Sequence, residues 1–128
     1  MEMEIGKIGV AETLVTKENT AAAVGSGCLL VYGTPYMIGL MEMAACNCGK
    51  EYMEEGCSTV GTLLNVAHTA ATPVGMEVRA EAKLTAVDGR KLTFEVTAYD
   101  EKGEIGKGTH ERFIIFEEKF LAKTYDKL

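Results

Sequence analysis

A glutamate and a histidine interrupt two apolar patterns in this sequence. Glu42 lies in an apolar helical stretch, and His68 follows Leu64 and Val66 at alternate positions of a strand pattern that also includes Val60. Counting by twos places His68 on the strand face that should contact the helix. An ionised carboxylate is costly away from water, so Glu42 needs a cleft, a proton or a donor as its partner. The pair predicts acid–base or nucleophilic chemistry.

Each of these two residues also has a purely structural interpretation. Helix glutamates are mostly exposed, so Glu42 alone fits a helix face that touches solvent. His68 alone fits a core histidine whose ring is satisfied by the backbone. Two polar exceptions in the same apolar layer favour a functional role for the pair.

Four other residues are candidates for the same cleft. Thr34 precedes Glu42 by eight residues, about 12 Å along a helix, and it also fits a plain N-cap. Gly61 interrupts a strand, which indicates either a bulge or a free N–H that polarises a carbonyl. His110 and Arg112 share one strand face, where Arg112 fits either a cross-strand salt bridge or a ligand contact.

A single helix should carry Glu42. Thr34-Pro35 is typical of a helix start, and Cys48-Gly49-Lys50 supplies a stop with Gly49 in the left-handed conformation. The predicted helix runs from Pro35 to about Asn47. Because it is apolar all round, we expect it to be enclosed.

The remaining sequence alternates with the period of a β-strand. We predict a first strand over 5–16, a polar turn over 17–20, four strands over 59–72, 76–87, 91–100 and 105–116, and an amphipathic tail over 117–125. Asp88-Gly89 predicts a tight hairpin. Four consecutive strands with short turns make an antiparallel meander, and its apolar face needs the helix to cover it. The predicted fold is therefore α+β, with a sheet wrapped around one helix in the hotdog arrangement.

Composition limits the function classes. The 128 residues suit one domain spanning 1–128. A net charge of −6 argues against nucleic acid as a partner. The uncharged stretch 19–41 contains glycines and a proline and has no basic flanks, which argues against a membrane span. The opening Met-Glu-Met-Glu is unlike a secretory signal, so we expect a cytoplasmic protein.

Four cysteines could be paired or bind metal. They are Cys28, Cys46, Cys48 and Cys57. A disulfide framework does not suit the expected compartment, and the closely spaced Cys46 and Cys48 lack a second pair or a nearby histidine to complete a zinc site. We predict buried thiols and no metal.

Several motifs together resemble the fluoroacetyl-CoA thioesterase-like branch of the hotdog superfamily. They are Thr34-Pro35, Glu42, Val60-Gly61-Thr62, the segment from His68 to Pro73 and the segment from Gly108 to Arg112. The resemblance implies a homodimeric acyl-CoA hydrolase with Thr34, Glu42 and His68 as its catalytic set. It also implies that Gly61 and Arg112 lie beside the acyl end of the substrate, near a dimer interface. The same family scaffold uses no cofactor and no metal.

One departure from the family concerns the acyl group. The fluoroacetate-selective member closes its pocket with a phenylalanine-bearing lid, and residues 25–31 here include no aromatic residue. A preference for the fluorinated substrate is therefore not predicted. Thr34 and an N–H near Gly61 would stabilise the oxyanion, and Glu42 would act either as nucleophile or as general base. A hotdog enoyl-CoA hydratase and a non-catalytic acyl-CoA-binding module are the rival functions, and the acyl carrier is CoA or a carrier protein.

Overall fold

The computed structural model describes residues 3–128 and contains five strands and three α-helices. In chain order they are β1 (Ile8–Leu14), α1 (Ala21–Val24), α2 (Thr34–Gly49), β2 (Cys57–His68), β3 (Glu77–Asp88), β4 (Lys91–Asp100), β5 (Gly103–Phe116) and α3 (Glu117–Tyr125). Short 3-10 turns follow β1 and α2, at Lys17–Asn19 and Lys50–Tyr52. The predicted elements are all present, and α1 is an additional one.

The five strands form one antiparallel sheet in the order β1-β3-β4-β5-β2. The core lies between its inner face and α2, because alternate residues of β3 and β4 point inward and are fully buried, as the pleat requires. Gly9 lets the helix approach β1 closely, since a Cβ there would collide with backbone atoms of Ala44 and Cys48. The predicted α+β hotdog architecture is confirmed.

The connection after β2 differs from the prediction. The sequence suggested four consecutive strands in a meander, but β2 pairs with β5, so only β3, β4 and β5 form one. Residues 69–76 carry the chain across to the far side of the sheet, where Gly75 N–H donates to the Val15 carbonyl. Alternation of apolar residues reports which face a strand buries, not which strand it pairs with.

Both ends of α2 also differ from expectation. Gly33 is the N-cap residue and Thr34 is the first helical residue, with no side-chain cap. Gly49 has φ −94°, so it is not left-handed, and the chain continues into the 3-10 turn at Lys50–Tyr52. The Thr34 hydroxyl is therefore free for another partner.

The expectation that α2 is enclosed is wrong for one of its faces. Tyr36, Gly39, Met43 and Cys46 are exposed, and Met43 retains 54% of its accessible surface. Leu63 and Leu64, on the edge strand β2, are also exposed. The uncovered apolar surface therefore includes one face of α2 and part of β2.

A β-bulge changes the facing of residues in β2. The register with β5 shifts between Gly61 and Leu63, so Gly61 pairs with Arg112 while Leu64 pairs with His110. His68, Leu64 and Val66 share the inner face as predicted. Val60 does not share this face. Before the bulge the inner positions are the odd-numbered ones, such as Thr59 and Gly61.

Of the cysteines, only Cys48 is buried, Cys57 is half-buried, and Cys28 and Cys46 are exposed. The prediction of buried thiols is thus wrong for Cys28 and Cys46. Within residues 3–128, no helix combines the length and the apolar character that crossing a bilayer requires.

Candidate active site

Two groups of polar side chains lie on the inner face of the sheet near β2. The first, the Thr–His pair, consists of Thr34 at the start of α2 and His68 at the end of β2. The second, the carboxylate cluster, consists of Glu42, Gly61, His110, Arg112 and Thr59, with α2, β2 and β5 each contributing. Eight helical residues, about 12 Å, separate Thr34 from Glu42.

In the Thr–His pair, the Thr34 hydroxyl oxygen lies 2.7 Å from Nδ1 of His68. This contact replaces the capping role that Thr34 would otherwise have. Burial lowers the pKa of His68, and a smaller effect of the Ala70 backbone opposes the shift. His68 Nε2 is buried and finds no hydrogen-bond partner among residues 3–128. The imidazole is therefore neutral near pH 7, with one ring nitrogen available to another group.

The Thr–His pair borders a shallow cavity of about 270 Å³. Its other walls come from α1, the segment that follows it and the residues after β2, including Tyr32, Ser26 and Ala70. Burial raises the pKa of Tyr32 to about 12, so its hydroxyl keeps its proton and donates to the Tyr36 carbonyl at 3.1 Å. The cavity can receive a small group at the start of α2.

The guanidinium of Arg112 organises the carboxylate cluster. Arg112 is 6% exposed, and its Nη1 lies 3.4 Å from Oε2 of Glu42. Its Nε donates to Thr59 Oγ1 at 2.8 Å, and its Nη2 donates to the Thr59 carbonyl at 2.9 Å. Glu42 is more accessible, with 38% of its side chain exposed. The cluster thus presents a carboxylate to the surface and holds its partner cation in the interior.

His110 is the imidazole that lies within the carboxylate cluster. It is fully buried, and its Nε2 lies 3.2 Å from Nη1 of Arg112. Because arginine only donates, Nε2 accepts, and Nδ1 carries the proton that it donates to the Leu63 carbonyl at 2.8 Å. Burial is the main cause that lowers the pKa of His110, which keeps the ring neutral.

Gly61 is required by the position of the Glu42 carboxylate. A Cβ built on Gly61 would lie 2.5 Å from Glu42 Oε2 and 3.2 Å from Arg112 Nη1. Gly61 also lies at the bulge of β2, whose outer edge is paired with no other strand in residues 3–128. The absent side chain leaves room for the carboxylate itself to lie against β2.

The structure therefore groups the predicted residues differently from the sequence. Thr34 meets His68, while Glu42 meets Arg112 and Gly61. Among the described residues, no hydrogen bond or ion pair joins His68 to Glu42. The sequence analysis did not predict Thr59 or the role of His110. A buried arginine needs several hydrogen-bond acceptors, and this requirement is a signal that could have indicated both residues.

Both groups carry parts of a hydrolytic site. A carboxylate can attack a carbonyl or deprotonate water, a neutral imidazole can take up and return a proton, and a hydroxyl or N–H can donate to a developing oxyanion. Among residues 3–128, no three His, Cys, Asp or Glu side chains converge as a metal site would need.

Comparison with known proteins gives consistent results. Residues 15–118 match the model of a family described as fluoroacetyl-CoA-specific thioesterase. A fluoroacetyl-CoA thioesterase from Streptantibioticus cattleyicolor is 47% identical over 97 residues, which cover 76% of this chain and 70% of that protein.

Solved structures extend the similarity to the whole fold. The structure of the fluoroacetyl-CoA thioesterase FlK matches with a TM-score of 0.95 and 37% identity over 100% of this chain and 99% of that one. A thioesterase superfamily member from Thermus thermophilus matches with a TM-score of 0.90 and 31% identity, covering 98% and 93%. Variants of FlK have been solved with acetyl-CoA and with fluoroacetate and CoA.

Proposed function

The chain belongs to the fluoroacetyl-CoA-specific thioesterase family and hydrolyses acyl-CoA thioesters, and we propose that Glu42, His68 and Thr34 form its catalytic set. One observation carries this assignment. Glu42 is a partly exposed carboxylate that lies against Gly61 and is held by a buried arginine, so it can meet a substrate without losing its counter-charge. The substrate we propose is the CoA thioester of a small acyl group.

Glu42 would act on the thioester carbonyl by one of two routes. As a nucleophile it forms a mixed anhydride and expels the CoA thiolate, and water then hydrolyses the anhydride. As a general base it takes a proton from water, which attacks the carbonyl directly. In both routes the neutral His68 takes up the proton that the attacking water releases and returns it to the CoA thiolate, while Thr34 and the Gly61 N–H stabilise the oxyanion.

We further propose that the two groups of residues meet in a homodimer. Within one subunit, Gly61 and His68 lie about 20 Å apart along β2, too far for their neighbours to share a substrate carbonyl. Among residues 3–128 no strand pairs with the outer edge of β2, and Leu63 and Leu64 of this strand are exposed. An antiparallel pairing of two copies of β2 would satisfy the strand edge and cover this surface.

The spacing of residues in β2 fixes the register of this pairing. Residues that face each other across a strand pair must share a sheet face. If the two-fold axis passes near Asn65 and the bulge absorbs one residue, His68 of the partner subunit lies opposite Gly61. Each site would then combine the carboxylate cluster of one subunit with the Thr–His pair of the other.

Mixing two inactive variants tests this arrangement. We expect Glu42→Gln and His68→Ala each to lower thiol release from a short acyl-CoA by about a thousandfold while leaving the fold intact. Dimers that contain one copy of each variant regain one complete site of two. Random mixing by co-refolding should therefore restore about a quarter of the parental rate.

Four results would contradict parts of the proposal. A Glu42→Gln variant that releases thiol at the parental rate would remove Glu42 from the mechanism. Mixtures that stay inactive would place the whole site in one subunit, and a monomer in sedimentation analysis would do the same. Production of 3-hydroxybutyryl-CoA from crotonyl-CoA without free CoA would favour a hydratase.

The finer properties of the substrate and the setting belong to the same proposal. CoA is the proposed carrier, because solved relatives bind CoA compounds. A fluoroacetyl preference is not proposed, since residues 25–31 carry no aromatic side chain. A single domain over 1–128 and a cytoplasmic location stay predictions, the second to be tested by fractionation.

A further inference from the structure

We propose that Thr59 and His110 are positioning residues that hold the Arg112 guanidinium as the end wall of the acyl site, which restricts the enzyme to short acyl groups. This inference rests on the proposed function, because Glu42 and Gly61 define where the acyl group reacts. It concerns a property that the catalytic set does not explain, namely how far an acyl chain can extend past the reacting carbonyl.

The guanidinium is fixed on three of its nitrogens. Thr59 accepts from Nε through its hydroxyl and from Nη2 through its carbonyl, at 2.8 and 2.9 Å. His110 Nε2 accepts from Nη1, and the His110 ring is itself oriented by its bond to Leu63. Arg112 and His110 are buried and Thr59 is half-buried, so these charge-assisted hydrogen bonds are strong and an unpaired charge would be costly. The Arg112 side chain is therefore held in one conformation.

This position places the guanidinium directly beside Gly61 and the Glu42 carboxylate. An atom at the Cβ position of Gly61 would lie 3.2 Å from Arg112 Nη1 and 3.3 Å from Cε1 of His110. These two distances are shorter than ordinary van der Waals contact, and the same atom would lie 2.5 Å from Glu42 Oε2, so an acyl group placed against this carboxylate meets the guanidinium within its first carbons. A longer chain must displace the guanidinium or leave the site.

A larger cavity lies beyond the wall. Thr59 and Ile114 are the next inner positions after Gly61 and Arg112, and Cys57 and Phe116 follow them. Cys57, Ile114 and Phe116 line a cavity of about 560 Å³, together with Met53, Val87 and other residues. Two residues of strand span about 7 Å, so this mostly apolar cavity begins about one inner strand position beyond Arg112, at Ile114. Arg112 thus separates the reacting carbonyl from a volume that could accommodate an alkyl chain.

The activity of Thr59 variants on acyl-CoAs of different acyl length tests whether Arg112 forms the end wall of the acyl site. Thr59→Val keeps the side-chain volume and removes the acceptor for Nε, whereas Thr59→Ser keeps the acceptor. We expect Thr59→Val to raise the ratio of kcat/KM for hexanoyl-CoA to that for acetyl-CoA by about tenfold or more, mainly through a lower KM for hexanoyl-CoA. Thr59→Ser should restore the parental ratio.

Two further variants separate this effect from general destabilisation. Thr85→Val on β3 removes another threonine hydroxyl bond, the one to the Thr93 carbonyl, and should leave the ratio unchanged. His110→Asn removes the acceptor at the Nε2 position and can still donate to Leu63, so it should shift the ratio in the same direction as Thr59→Val. The ratio is measured within one preparation, so partial unfolding does not alter it.

The outcomes distinguish this inference from the proposed function. If Thr59→Val and His110→Asn keep the parental ratio, the inference that Arg112 is held as an end wall is wrong, even though Glu42→Gln is inactive. If the parent hydrolyses hexanoyl-CoA as efficiently as acetyl-CoA, the wall is wrong as well. If Glu42→Gln retains full activity, the proposed catalytic set fails instead, and with it the location of the acyl group that the wall assumes.

Discussion

The sheet divides into two groups of strands, here named the closed side and the open side, which differ in what they bury. On the closed side, formed by β1, β3 and β4 against α2, inward-pointing residues such as Ala82, Leu84, Phe94 and Val96 are 0 to 1% exposed. On the open side, formed by β2 and β5, no residue of 57–68 is fully buried, and the inner face carries His110 and Arg112. Every residue of the candidate site lies on the open side or on the part of α2 that faces it.

The closed side provides stability, and the open side provides the groups for chemistry. Apolar burial on the closed side contributes about 25 cal/mol for each Å² removed from water and needs no partner outside the subunit. The open side keeps polar groups, an unpaired strand edge and exposed leucines, all of which are unfavourable in an isolated subunit. Substrate binding and pairing with a second subunit, as proposed above, would explain these features of the open side.

Phe94→Ala should give the largest effect, and this effect should be on stability. Phe94 is fully buried on the closed side, so its removal should lower the free energy of unfolding by about 3 to 5 kcal/mol, measured by urea denaturation. Phe113→Ala is the matched control, because Phe113 is 37% exposed on β5 and should cost less than half as much. Equal losses for the two variants would show that the sides do not differ.

Gly61→Ala should have the opposite profile. The added methyl group would meet the Glu42 carboxylate, which must move from its place beside Arg112. We expect thiol release to fall by about a hundredfold, with a change in the free energy of unfolding below about 1.5 kcal/mol.

Gly27→Ala serves as the control for Gly61→Ala. Its Cβ would meet only the Ala21 Cβ, at an ordinary 3.6 Å, so activity should stay within about twofold of the parent. A fully active Gly61→Ala variant would show that the carboxylate position does not matter for turnover.

The closed side could be predicted from the sequence because its rules are local. Alternation through Val78, Ala80, Ala82 and Leu84 indicates both the strand and its buried face. The hairpin at Asp88-Gly89 and the tail helix over 117–125 were also predicted, and Gly89 has the positive φ that such a turn needs.

The open side was predicted less well because its contacts are long-range. Glu42 and Arg112 are 70 residues apart, and nothing in either local pattern says that they meet. One extra residue at the bulge moves Val60 off the inner face, and counting by twos cannot detect it. Thr34 looked like a cap because the sequence alone does not reveal that His68 provides an alternative partner.

Acid should weaken the open side selectively. Both histidines of the chain lie there, and burial lowers the pKa of each. Because the unfolded chain binds protons more readily than the folded one, stability should fall as pH drops below about 6.5 and continue to fall until the folded pKa values are passed.

The size of this pH effect follows from linkage. Each histidine can contribute at most about 1.4 kcal/mol per pH unit, so we expect the free energy of unfolding to fall between pH 7 and pH 5.5 by no more than this slope allows. Urea midpoints across this range measure the loss, and His68→Gln should reduce the slope. A stability that stays constant down to pH 5.5 would contradict the burial of these rings.

Gly39→Ala should give the smallest effect, and its sign tests what covers the open side. Gly39 lies in the middle of α2 on the exposed face, and a Cβ there would meet nothing within 4 Å. Alanine favours a helix over glycine by about 1 kcal/mol, so we expect the free energy of unfolding to rise by up to that amount. Measuring it at two protein concentrations separates the subunit from the assembly. A rise at both concentrations would mean that the second subunit pairs through β2 and leaves this part of α2 in solvent. A loss of stability confined to the higher concentration would mean that the partner packs closely against the helix, since only a close neighbour makes one added methyl group unfavourable.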